Sequence, residues 1–435
     1  MKYLGAVSLL IGCGTFLVHG QLQLQALHTT TSGNPAASIV QGNDGNFYGT
    51  LSNTVFKMSP AGAFGTVGPV PGVNPDLTLA NDGNFYGTTK SGGVGYGTIF
   101  RFETTGQVTF MYSFTISDGK PLGLRAGVDG YLYGACLTSN SVGVSSVWSV
   151  FQFDTNGVFT VLRLITNTPG GHLIPEFSLP AQGPDGALYG SFSRGEAGFP
   201  GIDSIAFYRL STSGSYQVIT NLSTTSRSSS DLVFGSDGDL YGAAGFGSYP
   251  STAGSVFKLS TNGTFRTLWT FGSTNGTNPE VRLLPGADGA LYGTTSSGGT
   301  SNLGTIFRIT TDGTFTHLFD FPGGSGSHPM APLIQASDGN LYGTTEGATV
   351  PVTGTGIIFR LVQSPIINQL SVSNGAVTLS WNSFSNAAYR VEYKSSVFDP
   401  SWTILTSVTA RDVTTSVFDN SPAADQRFYR VVLLP

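Results

Sequence analysis

Cysteine is nearly absent from this chain. Only Cys13 and Cys136 occur among 435 residues, and Cys13 falls in an N-terminal leader. Once the leader is removed no intrachain disulfide can form, and Cys136 is expected to be a small buried residue rather than a reactive thiol. Charge is scarce as well. Charged residues make up 10% of the chain and the net charge is −5, with no basic cluster, which removes nucleic acid as a partner. The mature chain keeps His28, His172, His317 and His328, and none stands in an H-x-x-x-H or similar metal spacing. There is no Gly-x-Ser-x-Gly elbow and no phosphate-binding loop, so no cofactor is expected. Helical periodicity is missing beyond the leader.

The leader itself is short. Lys2 precedes an apolar run from Tyr3 to Val18, and Val18-His19-Gly20 suits cleavage before Gln21. Leu10-Ile11-Gly12-Cys13 also resembles a lipobox, which would lipidate Cys13. Ordinary cleavage is preferred because the apolar run continues past Cys13. That run falls short of about 18 residues and is interrupted by Gly5, Gly12 and Gly14, which argues against a membrane span. The expected location is extracellular or at the cell surface.

What the chain has in quantity is glycine (60 residues) and aromatic side chains (12%), with many Thr and Val. This composition argues for an all-β protein. One hexapeptide recurs, Asp-Gly-x-(Leu/Phe)-Tyr-Gly. It starts at Asp44, Asp82, Asp129, Asp185, Asp237, Asp288 and Asp338, spaced 38, 47, 56, 52, 51 and 50 residues apart. Around each copy the order is the same: a short apolar strand, an Asp-Gly turn, the Leu-Tyr-Gly strand, a variable Gly/Ser loop, a third strand such as Gly304-Thr305-Ile306-Phe307-Arg308-Ile309, a second Gly turn and a fourth strand. The turn residues suit three-residue hairpins, a type I turn closed by Gly in the left-handed region. Leu341 and Tyr342 are neighbours and both large, as are Ile306 and Phe307, so both faces of each sheet must be covered. Four strands per period of about 50 residues, covered on both faces, describe the blades of a β-propeller. The Gly after each Tyr is expected to let backbones of adjacent blades approach closely.

Seven copies imply a seven-bladed β-propeller over residues 21–363. The seventh copy stops after its third strand, at Leu361-Val362, while Leu22 to Ser32 is a spare fourth strand. The last blade is therefore closed by the N-terminal strand. Residues 364–435 lack the hexapeptide. Their short alternating strands with Trp381, Tyr389 and Tyr429 suggest a small β-sandwich similar to a fibronectin type III domain.

The repeated Asp-Gly-Asn-Leu-Tyr-Gly-Thr-Thr, Gly-Gly, Gly-Thr-Ile-Phe-Arg unit resembles the GloVer repeat of secreted bacterial proteins, many of them verrucomicrobial. The resemblance covers about residues 22–363 and is best in Asp288 to Phe321. It implies a secreted or surface-attached propeller and adds nothing on activity.

The hexapeptide aspartates invite reading as calcium loops, but such loops need several oxygen ligands at alternate positions. Only Asp237-Gly238-Asp239 has even two. Turn formation is the favoured reading. Binding residues concentrate on variable loops held by a rigid scaffold. In this topology those are the loops from second to third and from fourth to first strand. The candidates there are Asp76, Lys120, Glu176, Arg194, Asp203, Asp231, Tyr249 and Glu280. The expected function is that of a non-catalytic binding protein, monomeric, with a carbohydrate or protein ligand. The alternative is a propeller glycoside hydrolase or lyase, which needs paired carboxylates such as Glu176 and Glu280 with Asp76 or Asp231. A purely structural surface role is the third reading.

Overall fold

The computed structural model describes residues 22–30, 38–70, 76–139, 146–166, 171–196, 203–224, 231–244, 253–279, 282–323, 326–346, 356–363, 365, 367–373, 376–383, 388–396, 398–411, 414–420 and 427–434. Among these every regular element is a β-strand.

The architecture starts at the Asp-Gly turns. Gly42 N donates to Asn46 O at 2.8 Å and Gly45 N to Gly42 O at 2.9 Å, the bond pair of a three-residue hairpin. Gly45 sits at φ 77°, and the other six hexapeptide turn glycines lie between 75° and 90°. A Cβ is disfavoured there, so this position must be Gly. The second Gly turn repeats the geometry: Gly62 N donates to Ser59 O at 2.9 Å with φ 90°.

Hairpins joined this way give consecutive four-stranded antiparallel sheets. The first contains Val40–Gln41, Phe47–Leu51, Thr54–Met58 and Phe64–Pro69. The second contains Leu77–Leu79, Phe85–Thr89, Thr98–Phe102 and Val108–Ser113. The third runs from Lys120–Ala126 to Phe159–Ile165. The fourth has a divided inner strand, Gly171–Phe177 and Ala181–Gln182, both paired with Leu188–Glu196. The fifth begins at Val233–Phe234 and the sixth at Leu284–Pro285. The last sheet has the order Leu22–Thr29, Ile357–Gln363, Leu341–Thr344, Ile334–Gln335. The N-terminal strand thus takes the fourth-strand place expected from the sequence.

Both faces of these sheets are covered. Phe85–Thr89 is buried at every residue. One apolar layer holds Tyr48 and Val55 of the first sheet with Phe85, Phe100 and Phe102 of the second. Another holds Tyr86, Ile99 and Phe114 with Leu124, Leu132 and Phe151 of the third. Equivalent layers join third to fourth, fourth to fifth and fifth to sixth sheets. Each fully buried aromatic or branched side chain contributes about 1.5–3 kcal/mol. Small four-stranded sheets packed face to face in chain order are propeller packing, so the fold is all-β and of the propeller type.

Contact density divides the chain into two units, one of Ala26–Ile334 with Gly343–Phe359, the other including Gln335–Tyr342 and Arg360–Pro435. In the first, Thr30 N donates to Gly356 O at 2.9 Å. There the His28 ring also stacks on Phe64 of the first sheet, centroids 3.7 Å apart and planes 3° from parallel. In the second, Arg360 Nη2 donates to Gln25 Oε1 at 2.6 Å.

The glycine after each Tyr does not serve an approach between sheets. A Cβ on Gly49 would fall 2.6 Å from Phe56 Cζ, and one on Gly134 would fall 2.3 Å from Phe151 Cζ. Both aromatics stand directly opposite in the same sheet. The glycine makes room for the third-strand ring to lie across its own sheet. Close approach between sheets uses another glycine, just before the third strand. A Cβ on Gly254 would meet Pro279 at 2.4 Å and one on Gly304 would meet Pro329 at 2.8 Å.

Residues 367–433 form two three-stranded sheets. One has the order Ile367–Ser373, Ala376–Asn382, Thr414–Asp419, and the other Thr403–Thr409, Ala388–Lys394, Phe428–Leu433. They share one core, with Val377, Leu379, Trp381 and Val417 facing Tyr389, Val391 and Tyr429. Thr414–Asp419 alternates exposed and buried along its whole length, the signature of a sheet with one wet face and unlike the fully buried second strands Phe85–Thr89 and Leu240–Ala244 of the propeller sheets.

Candidate functional site

The seven hexapeptide aspartates are committed to structure. Each accepts a hydrogen bond from the Tyr hydroxyl four residues on: 2.8 Å at Asp44–Tyr48, 2.9 Å at Asp82–Tyr86, 2.6 Å at Asp129–Tyr133 and 3.0 Å at Asp185–Tyr189. The later pairs Asp237–Tyr241, Asp288–Tyr292 and Asp338–Tyr342 measure 2.7, 3.0 and 2.6 Å. The other carboxylate oxygen accepts the backbone N–H two residues on, as from Asn46 at 3.1 Å. A third-strand cation directly opposite the Tyr completes the group. Lys57 lies 2.9 Å from Asp44, Arg209 2.7 Å from Asp185, Lys258 2.6 Å from Asp237 and Arg308 2.7 Å from Asp288. Sheet three has Gln152 opposite Tyr133, and there Gln182 Nε2 of the fourth sheet donates to Asp129 at 2.7 Å instead.

These bonds shift the groups' acidities. Burial pushes the Asp44 carboxyl up, but hydrogen bonds from Lys57, Asn46 and Tyr48 outweigh it and hold it well below the usual carboxylate range. Tyr292 is pushed up to about 12 by burial and by Asp288. The Asp237/Asp239 pair, the nearest approach to a calcium loop, is spanned by Lys258 at 2.6 and 2.9 Å. Among the described residues no group of three His, Cys, Asp or Glu side chains converges as a metal cradle. Cys136 is buried in the layer between the second and third sheets, where desolvation raises its thiol. His317 pairs with Asp320 at 3.1 Å, and His328 is bonded to Ser296 O at 2.8 Å.

A different position gathers charge. Six residues before each hexapeptide Asp, where the chain enters the inner strand, stand Ser38, Asp76, Gly123, Leu179, Asp231, Arg282 and Pro332. Their elements are held in one register: Leu77 pairs with Gly87, Leu124 with Gly134, Val233 with Tyr241 and Leu284 with Tyr292. The repeat therefore stacks these residues at equivalent heights on successive sheets. Ser38 N and Oγ donate to Asp76 Oδ1 at 3.2 and 3.0 Å. Leu179 N donates to Asp231 Oδ1 at 2.9 Å. Arg125 reaches from the third sheet to the fifth, donating to Asp231 Oδ2 at 2.5 Å and to Leu232 O at 2.9 Å. Arg282 feels Arg125, Asp231 and Asp76 together.

Of the residues expected from sequence, Asp76 and Asp231 fall in this group. Lys120 does not: it is exposed, opposite Leu137, three residues before the shared position. Glu176, Arg194 and Asp203 lie on strands Gly171–Phe177, Leu188–Glu196 and Asp203–Leu210, but their side chains lie outside the described residues, as do Tyr249 and Glu280 entirely. Arg125 and Arg282 were not anticipated. Aligning the copies on the hexapeptide exposes both. Arg282 occupies the same column as Asp76 and Asp231. Arg125 stands four residues before Asp129, where other copies have Val40, Thr78, Ala181, Val233, Leu284 and Ile334.

The model of the Gloeobacter/Verrucomicrobia repeat matches residues 175–376. That stretch carries the Gloeobacter/Verrucomicrobia repeat. Four of the seven hexapeptides, from Asp185 to Asp338, fall inside the match, and the earlier copies build the same Asp–Tyr groups. No characterised protein matches the chain in sequence. Among solved structures it is similar to the gluconolactonase XC5397 from Xanthomonas campestris, at 12% identity over 78% of this chain and 90% of that one, TM-score 0.43. It is also similar to the GH93 α-L-arabinofuranosidase of Fusarium graminearum, at 13% identity over 66% of this chain and 92% of that one, TM-score 0.42. A third is PorZ, a surface component of the type-IX secretion system of Porphyromonas gingivalis, at 11% identity over 88% of this chain and 54% of that one, TM-score 0.45. All three scores lie under 0.5, and the propeller assignment rests on the sheets of this repeat protein themselves.

Proposed function

We propose that this chain is a secreted or cell-surface binding protein, seven-bladed and monomeric, whose ligand is a carbohydrate or protein held by the group around Asp76, Arg125, Asp231 and Arg282. One observation carries this reading. The repeated acids are each held by their own tyrosine, four of them by a cation as well, while charge gathers where the chain enters the inner strands and the repeat imposes none. Donors on sheets one, three and four fix two carboxylates there: Ser38 on Asp76, and Arg125 with Leu179 N on Asp231. Fixed polar groups at the ends of inner strands are the ordinary construction of a scaffolded ligand site.

The test is a glycan array and a pull-down with the purified chain and its Asp76→Asn, Asp231→Asn double variant. A ligand signal that drops at least tenfold in the variant, with the fold intact, is expected. A signal unaffected by it would move the site elsewhere, and Glu176→Ala with Glu280→Ala is the next variant to try. Turnover of a glycan hit that is abolished by Asp76→Asn would instead make the chain a hydrolase or lyase.

A further inference from the structure

A sheet edge carries a row of backbone N–H and C=O groups that another extended chain can match in series, and folded proteins protect such edges with bulges or charges. The outer edges of sheets one to six are protected in one way. Opposite the third strand, each fourth strand carries one extra residue: Val67, Met111, Leu162, Ile219, Leu268 and Leu318. Such a bulge bends the strand and breaks its ladder. In the C-terminal sheets, Thr403–Thr409 has the same device at Leu405, and Ile367–Ser373 has it between Ile367 and Gln369. Phe428–Leu433 has no bulge, but it carries Arg430, paired with Glu392 of the neighbouring strand.

Thr414–Asp419 has neither protection. Among the described residues it pairs with Ala376–Asn382 alone, in unbroken register from Thr414 opposite Asn382 to Asp419 opposite Val377. Thr414, Ser416 and Phe418 form its exposed row, Phe418 being 62% exposed. Its one charge, Asp419, is on the buried row and is held by Arg427 and by the Tyr429 hydroxyl at 2.7 Å. Beside this edge lies an open groove of about 790 Å³, between residues 407–409 at the edge of the other sheet and residues 414–416. Val408 and Ala410, which pack in the sandwich core, line it together with Thr415.

We propose that Thr414–Asp419 is a docking edge that takes an extended peptide segment of a partner protein as an added strand. The segment is uncharged and carries β-branched apolar residues at every second position. Edge and groove together supply what strand addition needs: main-chain bonds for affinity, and a recess for alternate side chains that gives specificity. An added strand keeps the pleat of its sheet. Its inward residues therefore continue the row of Thr415 and Val417 into a groove lined by Val408 and Ala410, which selects Val or Ile there. Its outward residues lie beside Thr414, Ser416 and Phe418, a row with no charge to pair with. Arg411, the charge that lines the groove, stands on the connecting turn before the strand begins. The occupant is a segment of another protein because the chain is read above as a monomer, and in that respect alone the inference rests on the proposed function.

The experiment titrates the full chain with a synthetic seven-residue peptide alternating Thr and Val, followed by NMR and amide hydrogen exchange. Saturable binding is expected, with exchange slowed at least tenfold at backbone amides of Thr414–Asp419. The same peptide fully N-methylated keeps its side chains and loses its main-chain donors, and it should not bind. A peptide of the same composition with its valines grouped together should bind at least tenfold more weakly. Two exposed positions test the edge and the groove separately. Thr414→Lys adds the missing charge to the edge, and Thr409→Trp fills the groove from its wall. Each should weaken binding at least tenfold while thermal unfolding stays that of the parent. The Asp76→Asn, Asp231→Asn double variant should bind the peptide as the parent does, so this inference and the proposed glycan or protein site fail separately. No binding of the alternating peptide, binding without slowed exchange in this strand, equal binding of the N-methylated peptide, or binding that survives both variants would each overturn the inference. A dimer seen by sedimentation and dissociated by Thr414→Lys would put a second copy on the edge and overturn the choice of occupant.

Discussion

Gly134 is pressed on both sides, by the Phe151 ring and by the carbonyl of Gly123. A Cβ there would lie 2.3 Å from Phe151 Cζ and 2.6 Å from Gly123 O. One obstacle is a ring and the other is backbone in the ladder, so neither can swing away. Gly134→Ala is expected to cost about 1–3 kcal/mol as overpacking, read as a lower urea midpoint. Arg125 is the second residue with a decided consequence. Its side chain is 10% exposed and that of Asp231 31%. Arg125→Met leaves a half-buried carboxylate with its main partner gone, so a loss of about 2–3 kcal/mol is expected, below the range for a fully buried pair. Adding Asp231→Asn should recover part of that loss. If the double variant is as unstable as the sum of the two singles, the two side chains are not coupled.

At the scale of the element, the Asp–Tyr–cation groups predict how stability depends on pH. Hydrogen bonds outweigh burial and hold the carboxyls of Asp44, Asp82, Asp185, Asp237 and Asp288 below their ordinary value. A depressed folded-state pKa contributes stability that is whole above about pH 4 and is lost as pH falls through the folded values. The tyrosines are raised, so their contribution is whole below about pH 10 and is lost above it. Urea midpoints measured from pH 6 to pH 2 should fall steeply below about pH 4, and Lys57→Met should make that fall shallower. A flat profile would mean the carboxylates are as well placed in the unfolded chain. The N-terminal strand supports a second expectation. Removing residues 21–33 bares the edge of Ile357–Gln363 and strips His28 from the Phe64 ring. A clearly lower thermal midpoint is expected, and unchanged unfolding would show that the strand is not needed.

At the scale of the molecule, the C-terminal sheets have a core of their own, centred on the fully buried Trp381 against Tyr389, ring centroids 5.7 Å apart. Trp381→Ala is expected to cost about 3–5 kcal/mol there, seen by tryptophan fluorescence as early unfolding. If the propeller sheets unfold separately, any ligand signal found with the parent chain should survive it. Loss of binding in parallel would tie the sandwich to the site.

The sequence by itself determined the all-β class, the hairpins and the use of the N-terminal strand. Each follows from local chemistry repeated in register: a turn Gly that must take positive φ, paired large residues that bury both faces, and a copy short of one strand. It also placed Asp76 and Asp231 where the chain enters an inner strand, which is where the structure has them. Only the tertiary structure decided what the hexapeptide Asp and the Gly after Tyr are for. The first holds the Tyr of its own hexapeptide and, in four sheets, a cation from the third strand, the second makes room for a ring from the third strand, and these third-strand partners stand outside the hexapeptide. Arg125 and Arg282 became visible the same way. They lie 157 residues apart, two positions from one another when the repeats are aligned, and successive sheets bring the chain back to that part of the repeat, which no single repeat shows.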